Sequence, residues 1–279
     1  MTSRSESLNW SRTKVFSFKR LLPFLGYHHI LMLLILIAIV LLSLLLAGCS
    51  SSSVLIPSIF LINLWYDNTS PEYDPAQVDP SVTRAIGNIV GAAELEARVG
   101  YFGICINTDG GSWLCSANAS SLATQINPEQ DPLNLIWVAD TFRASIVFPY
   151  LIIIAVILAV IVFLLLATFP NYEEDYEGGP KTRRLPSRAL SQVALAIIFV
   201  SAIFVLISVL WQHTASIAAA TIAETLGNGS VETGVGVTAM VLGWFGFALL
   251  IITTIGLLIM ILSMHLVERL ADAVTDSEL

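Results

Sequence analysis

Cys105 and Cys115 are the residues whose type and spacing point most directly to chemistry. Nine residues separate them, and the gap holds Thr108-Asp109-Gly110-Gly111, a tight-turn sequence. A turn centred on Gly110 sets the two cysteines opposite each other, together with Thr108 and Ser112. Facing residues of an antiparallel pair lie about 4.5–5.5 Å apart at Cα, within disulfide reach. The expected chemistry is oxidation to a bridge in an oxidising compartment. The closed loop is small, so the entropic gain is modest, about 2–3 kcal/mol, and the main role is to fix register. Two free thiols on a loop is the less favoured alternative. Cys49 is left over, either buried at the mouth of the first apolar run or paired between chains, with burial preferred.

Other chemistry is poorly supplied. The histidines at 28, 29, 213 and 265 form no metal-binding pair beyond the adjacent His28-His29. No nucleophile motif, phosphate loop or dinucleotide loop occurs, so no catalytic residue is assigned and the chain is not read as an enzyme. No nucleic-acid partner is expected.

The elements that must hold the cysteine pair are membrane spans. The chain is 56% hydrophobic and only 12% charged, against about 25% charged for a soluble domain. Four apolar runs, 30–48, 146–169, 189–211 and 239–264, contain no Asp, Glu, Lys or Arg. About 20 apolar residues cross the hydrocarbon layer as a helix, which satisfies its own backbone hydrogen bonds. Ionisable residues inside spans usually mark ion or proton pathways, and their absence weakens a transport reading. Gln192, Ser201, Ser208, Thr253 and Thr254 suit helix contacts instead, and Gly243, Gly246 and Gly256 suit close helix approach. A pore built from several copies stays open.

Charge sets the orientation. Arg4, Arg12, Lys14, Lys19 and Arg20 precede the first span, and Lys181, Arg183, Arg184 and Arg188 lie between the second and third. Basic flanks mark the cytoplasmic side. The expected layout is therefore a cytoplasmic tail 1–29, span 30–48, external loop 49–145, span 146–169, cytoplasmic loop 170–188, span 189–211, external loop 212–238, span 239–264 and cytoplasmic tail 265–279. Leu46-Ala47-Gly48-Cys49 looks like a lipoprotein cleavage box, but the basic tail and three later spans favour an uncleaved signal-anchor. The acidic stretch Glu173 to Glu177 and the basic residues after it read as a solvated linker whose basic half lies against anionic lipid, rather than as a docking site.

The fold expected from the residues is mainly α: a four-transmembrane-helix bundle with a small external β-sheet or hairpin. Within the first external loop, 67–80 reads as irregular and 81–97 as a helix, from Val82, Ile86, Ile89, Val90 and Ala93. Residues 98–106 and 112–117 read as a hairpin. Asn68, Asn118 and Asn228 begin glycosylation acceptor triplets on the external side, so a glycoprotein is expected. Asn9 begins one inside, which shows how weak a single triplet is. Twelve external acids against three external bases, Arg84, Arg98 and Arg143, give a surface that concentrates cations. Asp67, Glu72, Asp74 and Asp79 are the nearest cluster for weak Ca2+ binding, without EF-hand spacing. No other cofactor is expected.

With four spans and a long first external loop, the run Gly100-Tyr101-Phe102-Gly103-Ile104-Cys105 and the run Trp113-Leu114-Cys115-Ser116 resemble the claudin superfamily. Gly100-Tyr101-Phe102 stands where claudins have Gly-Leu-Trp. The chain is similar to a fungal branch of it, the Ca2+-regulator and membrane-fusion proteins induced in mating. Ala47-Gly48-Cys49-Ser50 and Ile59-Phe60-Leu61-Ile62 also look like that branch. A claudin carries an early loop tryptophan; Trp65 is the nearest here. The resemblance implies a claudin-like fold, a bridge holding the external sheet and Trp113 packed on the hairpin. It also implies plasma-membrane fusion of contacting cells with low-affinity Ca2+ influx. The implied partners are the bilayer, further copies of the chain and other membrane proteins at cell contacts. The alternatives are an organiser or sensor of fungal cortical patches and a calcium-channel subunit.

Overall fold

The computed structural model describes residues 27–67, 79–108, 110–168 and 188–277. Among them, four helices are long and apolar enough to cross a membrane: Tyr27–Ala47, Tyr150–Ala167, Ala189–Gly227 and Val237–Leu266. They belong to helices α1 (Tyr27–Ala47), α5 (Tyr150–Ala167), α6 (Arg188–Gly227) and α7 (Val237–Ser277). Each presents a buried stripe at alternating spacings of three and four. Leu31, Ile35, Ala38, Leu42 and Leu45 form it on α1, and Ile152, Ala155, Ala159, Val162 and Leu166 on α5. That spacing is the seam of a left-handed bundle. α1 packs on α7 and α5, and α6 on α5 and α7, which closes a ring of helices.

Small residues set the approach. A Cβ at Gly246 would lie 2.9 Å from Leu42, and one at Gly256 would lie 2.6 Å from Leu31. Ser201 donates to the Ala155 carbonyl at 2.9 Å, joining α6 to α5. Helix contact is thus what Gly246, Gly256 and Ser201 do, whereas Thr253 and Thr254 donate within their own helix, to the Leu249 and Leu250 carbonyls at 2.8 Å.

The helices outrun their apolar composition. α6 has 40 residues, roughly 60 Å at 1.5 Å per residue, about twice the hydrocarbon thickness. Its apolar run stops at Trp211, but Gln212, Ser216 and Ala220 continue the buried face at four-residue spacing. This extension packs on the sheet. Much of 212–238, read from composition as a loop, is therefore helix. Similarly α7 continues as helix to Ser277 through the stretch read as a tail. α5 begins only at Tyr150, after a separate helix α4 (Leu135–Ser145) and a break at 146–149.

The sheet is larger than a hairpin. Strands β1 (Ile62–Tyr66), β2 (Glu96–Val99), β3 (Ile104–Asn107), β4 (Leu114–Ser116) and β5 (Val231–Val235) pair in the order β4-β3-β2-β1-β5. Every neighbouring pair is antiparallel. The fifth strand comes from the segment between α6 and α7, so the two inter-helix segments form one sheet. One face carries Ile62, Leu64, Ala97, Val99, Ile104 and Ile106, all buried, and α4 packs across β1, β2 and β3. Tyr66, on the same strand, donates to Asp131 at 2.7 Å. Asp131 in turn accepts from the amides of Leu135 and Ile136 at 2.6 and 3.1 Å, which caps α4. Burial and the Asp131 carboxylate hold the Tyr66 hydroxyl well above the usual phenol range.

Two sequence readings need correction. The helix expected over 81–97 is α2 (Pro80–Val90), which stops at Gly91 in the left-handed region, φ 57°. Glu96–Val99 beyond it is strand, with the alternating burial of a sheet face. The single strand expected over 98–106 is likewise two, because the chain turns between Gly100 and Gly103, closed by a 2.9 Å bond from the Gly100 amide to the Gly103 carbonyl.

That turn seats the sheet on the helices. A Cβ at Gly100 would lie 2.1 Å from the Gly48 carbonyl oxygen, and one at Gly103 would lie 2.0 Å from that of Cys49. Nothing lies within 4 Å of a Cβ at Gly111. Gly100→Ala and Gly103→Ala are each expected to destabilise by at least about 2 kcal/mol through overpacking against backbone, and Gly111→Ala to stay within about 0.5 kcal/mol. Denaturation curves of the purified protein in detergent give both values.

Candidate functional site

The site is built on the second face of the sheet. One row runs across all five strands: Gly234, Asn63, Arg98, Cys105 and Cys115 are successive cross-strand partners. Directly paired residues project to the same face, so the bridge and Arg98 share it. Cys105 and Cys115 are disulfide-bonded, with Cα atoms 4.0 Å apart. Ile104 faces Ser116 and Ile106 faces Leu114, the register that a turn centred on Gly110 produces. Gly110 takes φ 65°, the conformation such a turn asks of glycine.

Arg98 organises this face. Its Nε and Nη2 lie 3.1 and 3.0 Å from Glu96 Oε1, and Nη1 donates to the Pro57 carbonyl at 3.2 Å. Asn63 Nδ2 donates to the same Glu96 oxygen at 2.7 Å. The guanidinium carbon lies 4.0 Å from the Trp113 ring centre and 4.8 Å from that of Phe60, within cation–π range. Trp113 thus packs on the hairpin through a cation. Composition singled out Arg98 only as one of three external bases; its position between cysteine and asparagine partners needs the register.

The segment leaving α1 covers part of this face. Ser52 Oγ accepts from the Cys115 amide at 3.0 Å. Cys49 is fully buried, and its thiol donates to the Ile59 carbonyl at 3.6 Å. Burial pushes that thiol up to about 12. It therefore stays protonated where a free cysteine ionises, which removes the thiolate that disulfide exchange requires.

The remaining residues of the 100–116 block divide by role. Tyr101 is buried and donates to Gln212 Oε1 at 2.9 Å, tying the turn to α6. Burial holds its hydroxyl above the usual phenol range. Phe102 is exposed, and its carbonyl accepts from Arg143 at 3.4 Å. Ser116 Oγ accepts from the Asn118 amide at 3.1 Å.

Of the acceptor asparagines, Asn118 is exposed at the start of α3 (Ala119–Ala123), where its side chain accepts from the Ser120 amide at 2.9 Å. Asn228 is half-buried, donates to the Leu226 carbonyl at 3.2 Å, and has Ser230 of its triplet buried. Asn68 lies outside the described residues. So do Glu72 and Asp74 of the weak Ca2+ cluster. Asp79 caps α2, accepting from the Ser81 amide at 2.8 Å and its hydroxyl at 2.6 Å, which lowers its carboxyl. Asp67 acts on Glu232, whose carboxyl is raised first by burial and then by the Asp67 charge. Among the described residues, no three His, Cys, Asp or Glu side chains converge to hold a metal. The second face is suited to contact and scaffolding.

A family model described as "Ca2+ regulator and membrane fusion protein Fig1" matches residues 82–263. The match runs from α2 into α7 and includes Arg98, both bridged cysteines and Trp113. No curated protein matches the chain.

Three outcomes check the site. Arg98→Ala leaves Glu96 and Asn63 without their cation and uncovers Trp113, and is expected to cost about 1–3 kcal/mol, read as a shift in denaturation midpoint. Maleimide should label no cysteine in the native protein, two after reduction and three after reduction with unfolding. The Cys49 thiol is neutral when folded but ionises above about 9 when exposed, so its contribution to stability is expected to fall as pH rises from 9 towards 12.

Proposed function

The chain belongs to the Fig1 family of Ca2+ regulators and membrane fusion proteins, and from that membership we propose that it promotes cell–cell membrane fusion and low-affinity Ca2+ influx when fungal cells mate or hyphae fuse. The observation that carries this reading is the family match over residues 82–263, which takes in most of the sheet and three of the four apolar helices. In this reading the protein sits in the plasma membrane, with both termini in the cytoplasm and the sheet outside. The basic residues on 1–29 and 181–188 support that orientation. The bridged cysteines support it too, since disulfides persist in oxidising compartments.

The sheet is then the contact surface and the helix bundle its anchor, in the manner of a claudin. The protein acts without catalysis and regulates Ca2+ entry rather than conducting it. The charge-free spans and the use of Ser201 for helix contact favour regulation. Its partners are lipid and other membrane proteins at the contact site, including further copies of itself. The weak external Ca2+ cluster serves at most to concentrate the ion.

Three experiments test this. Cys105→Ser should strand the protein in the secretory pathway and abolish fusion of contacting cells; normal surface delivery with normal fusion would defeat the role of the sheet. Purified protein in liposomes should pass no Ca2+, and flux without partners would make it the channel. Endoglycosidase treatment should shift the mobility of the mature protein, and Asn118→Gln should remove more of that shift than Asn228→Gln. A chain carrying no glycan at Asn118 counts against the orientation.

A further inference from the structure

A cavity of about 830 Å³ opens where α4 gives way to α5. Its volume falls in the roughly 300–1,000 Å³ range of small-molecule sites. Phe102, Arg143, Phe148, Tyr150, Ile207 and Trp211 are among the residues of its wall.

The height of this cavity in the bilayer follows from helix lengths. α5 has 18 residues, about 27 Å of helix against about 30 Å of hydrocarbon. It has no length to spare, so Tyr150 at its start sits where hydrocarbon meets headgroups. α6 reaches the same height at Trp211, the end of its apolar run, whose indole N–H donates to the Ile146 carbonyl at 2.9 Å. Phe148, Tyr150 and Trp211 are all exposed there, in the manner of an interfacial aromatic belt. The cavity therefore opens towards lipid, between two helices whose outer faces lie in it.

Its chemistry is two-sided. Most of the wall is apolar, and Arg143 is the one charged residue among the described residues that line it. Arg143 is held in place, not loose: Nη1 donates to the Ala117 carbonyl at 2.6 Å and Nη2 to Asp140 at 2.6 Å. Asp140 itself is not in the wall. A fixed guanidinium above an apolar slot, at headgroup height, matches a phosphate attached to an acyl chain. Among the described residues, Asp140 and the Ala117 and Phe102 carbonyls leave the Nε and one Nη2 N–H of Arg143 unused; a phosphate brings a second counter-charge to them, and a sterol hydroxyl brings none.

We propose that this cavity binds one glycerophospholipid of the leaflet on the sheet side, with its phosphate at Arg143 and an acyl chain along Ile207 between α5 and α6. The proposal rests on the spans lying in a bilayer and not on the fusion or Ca2+ reading, so either can fail alone. Bound lipid would touch Phe102, within the turn that seats the sheet, and would tie sheet placement to the membrane around it.

The test uses the full-length chain, reconstituted in a bilayer of phosphatidylcholine, phosphatidylserine and sterol, then extracted and examined by native mass spectrometry. The expected result is one phospholipid retained per wild-type chain. Ile207→Trp, which fills the slot, and Arg143→Gln should each lower retention at least tenfold. Tryptophan quenching by phospholipid brominated on its acyl chains, taken as the part that Trp211→Phe removes, should fall in Arg143→Gln; it reads the same site in folded protein without extraction. No phospholipid on the wild-type chain, equal retention by both variants, a sterol in its place, or unchanged quenching each overturns the proposal.

Discussion

The sheet rests on the helix ends through contacts that leave no room for a side chain. Gly100 and Gly103 lie against the carbonyls of Gly48 and Cys49, and a Cβ at Gly236 would lie 1.6 Å from the Phe60 carbonyl oxygen. These three glycines bring the turn before β3 and the start of α7 down onto the segment between α1 and β1. Close backbone packing of this kind has low tolerance for added volume. The position of everything else on the sheet, including the bridge, follows from where that turn sits.

Given that seat, the two faces of the sheet have different fates. The apolar face is sealed by α4, anchored through the Tyr66–Asp131 pair and the capped amides of Leu135 and Ile136. The second face keeps its polar row, with Arg98 held by Glu96 and two rings. The bridge closes that row at its β3–β4 end, where β4 has only three residues and little ladder of its own. A short edge strand gains most from a covalent tie to its neighbour. The extension of α6 then acts as a post: β5 and β1 lean on it, and Tyr101 bonds to Gln212 on it. Helix bundle and sheet are thus one mechanical unit, which suits a protein of a family described by Ca2+ regulation and membrane fusion.

Much of this was legible before the structure. The four apolar runs each lie within or largely within a helix, and the Gly110-centred turn matches the register of β3 and β4. Other readings missed for identifiable reasons. Ile86, Ile89 and Val90 keep helical spacing up to Val90, and Ala93 extends it by coincidence; the left-handed Gly91 ends the helix regardless. β1 and β5 pair across more than 160 residues of chain, and no local pattern encodes a partner that distant. The continuation of α6 past Trp211 was hidden because Gln212, Ser216 and Thr221 look like loop composition, although Gln212 and Ser216 are buried against the sheet side of the molecule.

The sequence by itself determined that the chain is largely membrane helix, where its apolar runs lie, and that two cysteines face each other across a turn. Those features depend on local composition and on spacing within about a dozen residues. It could not choose which side of each helix is buried, because helices such as α5 are apolar all round and lipid and protein contact look alike in composition. Nor could it assign Arg98 its rings, join two distant segments into one sheet, or hollow the slot beside Arg143. Those are products of packing: they exist only once long-range strand pairing and glycine-thin contacts have fixed the sheet upon the bundle.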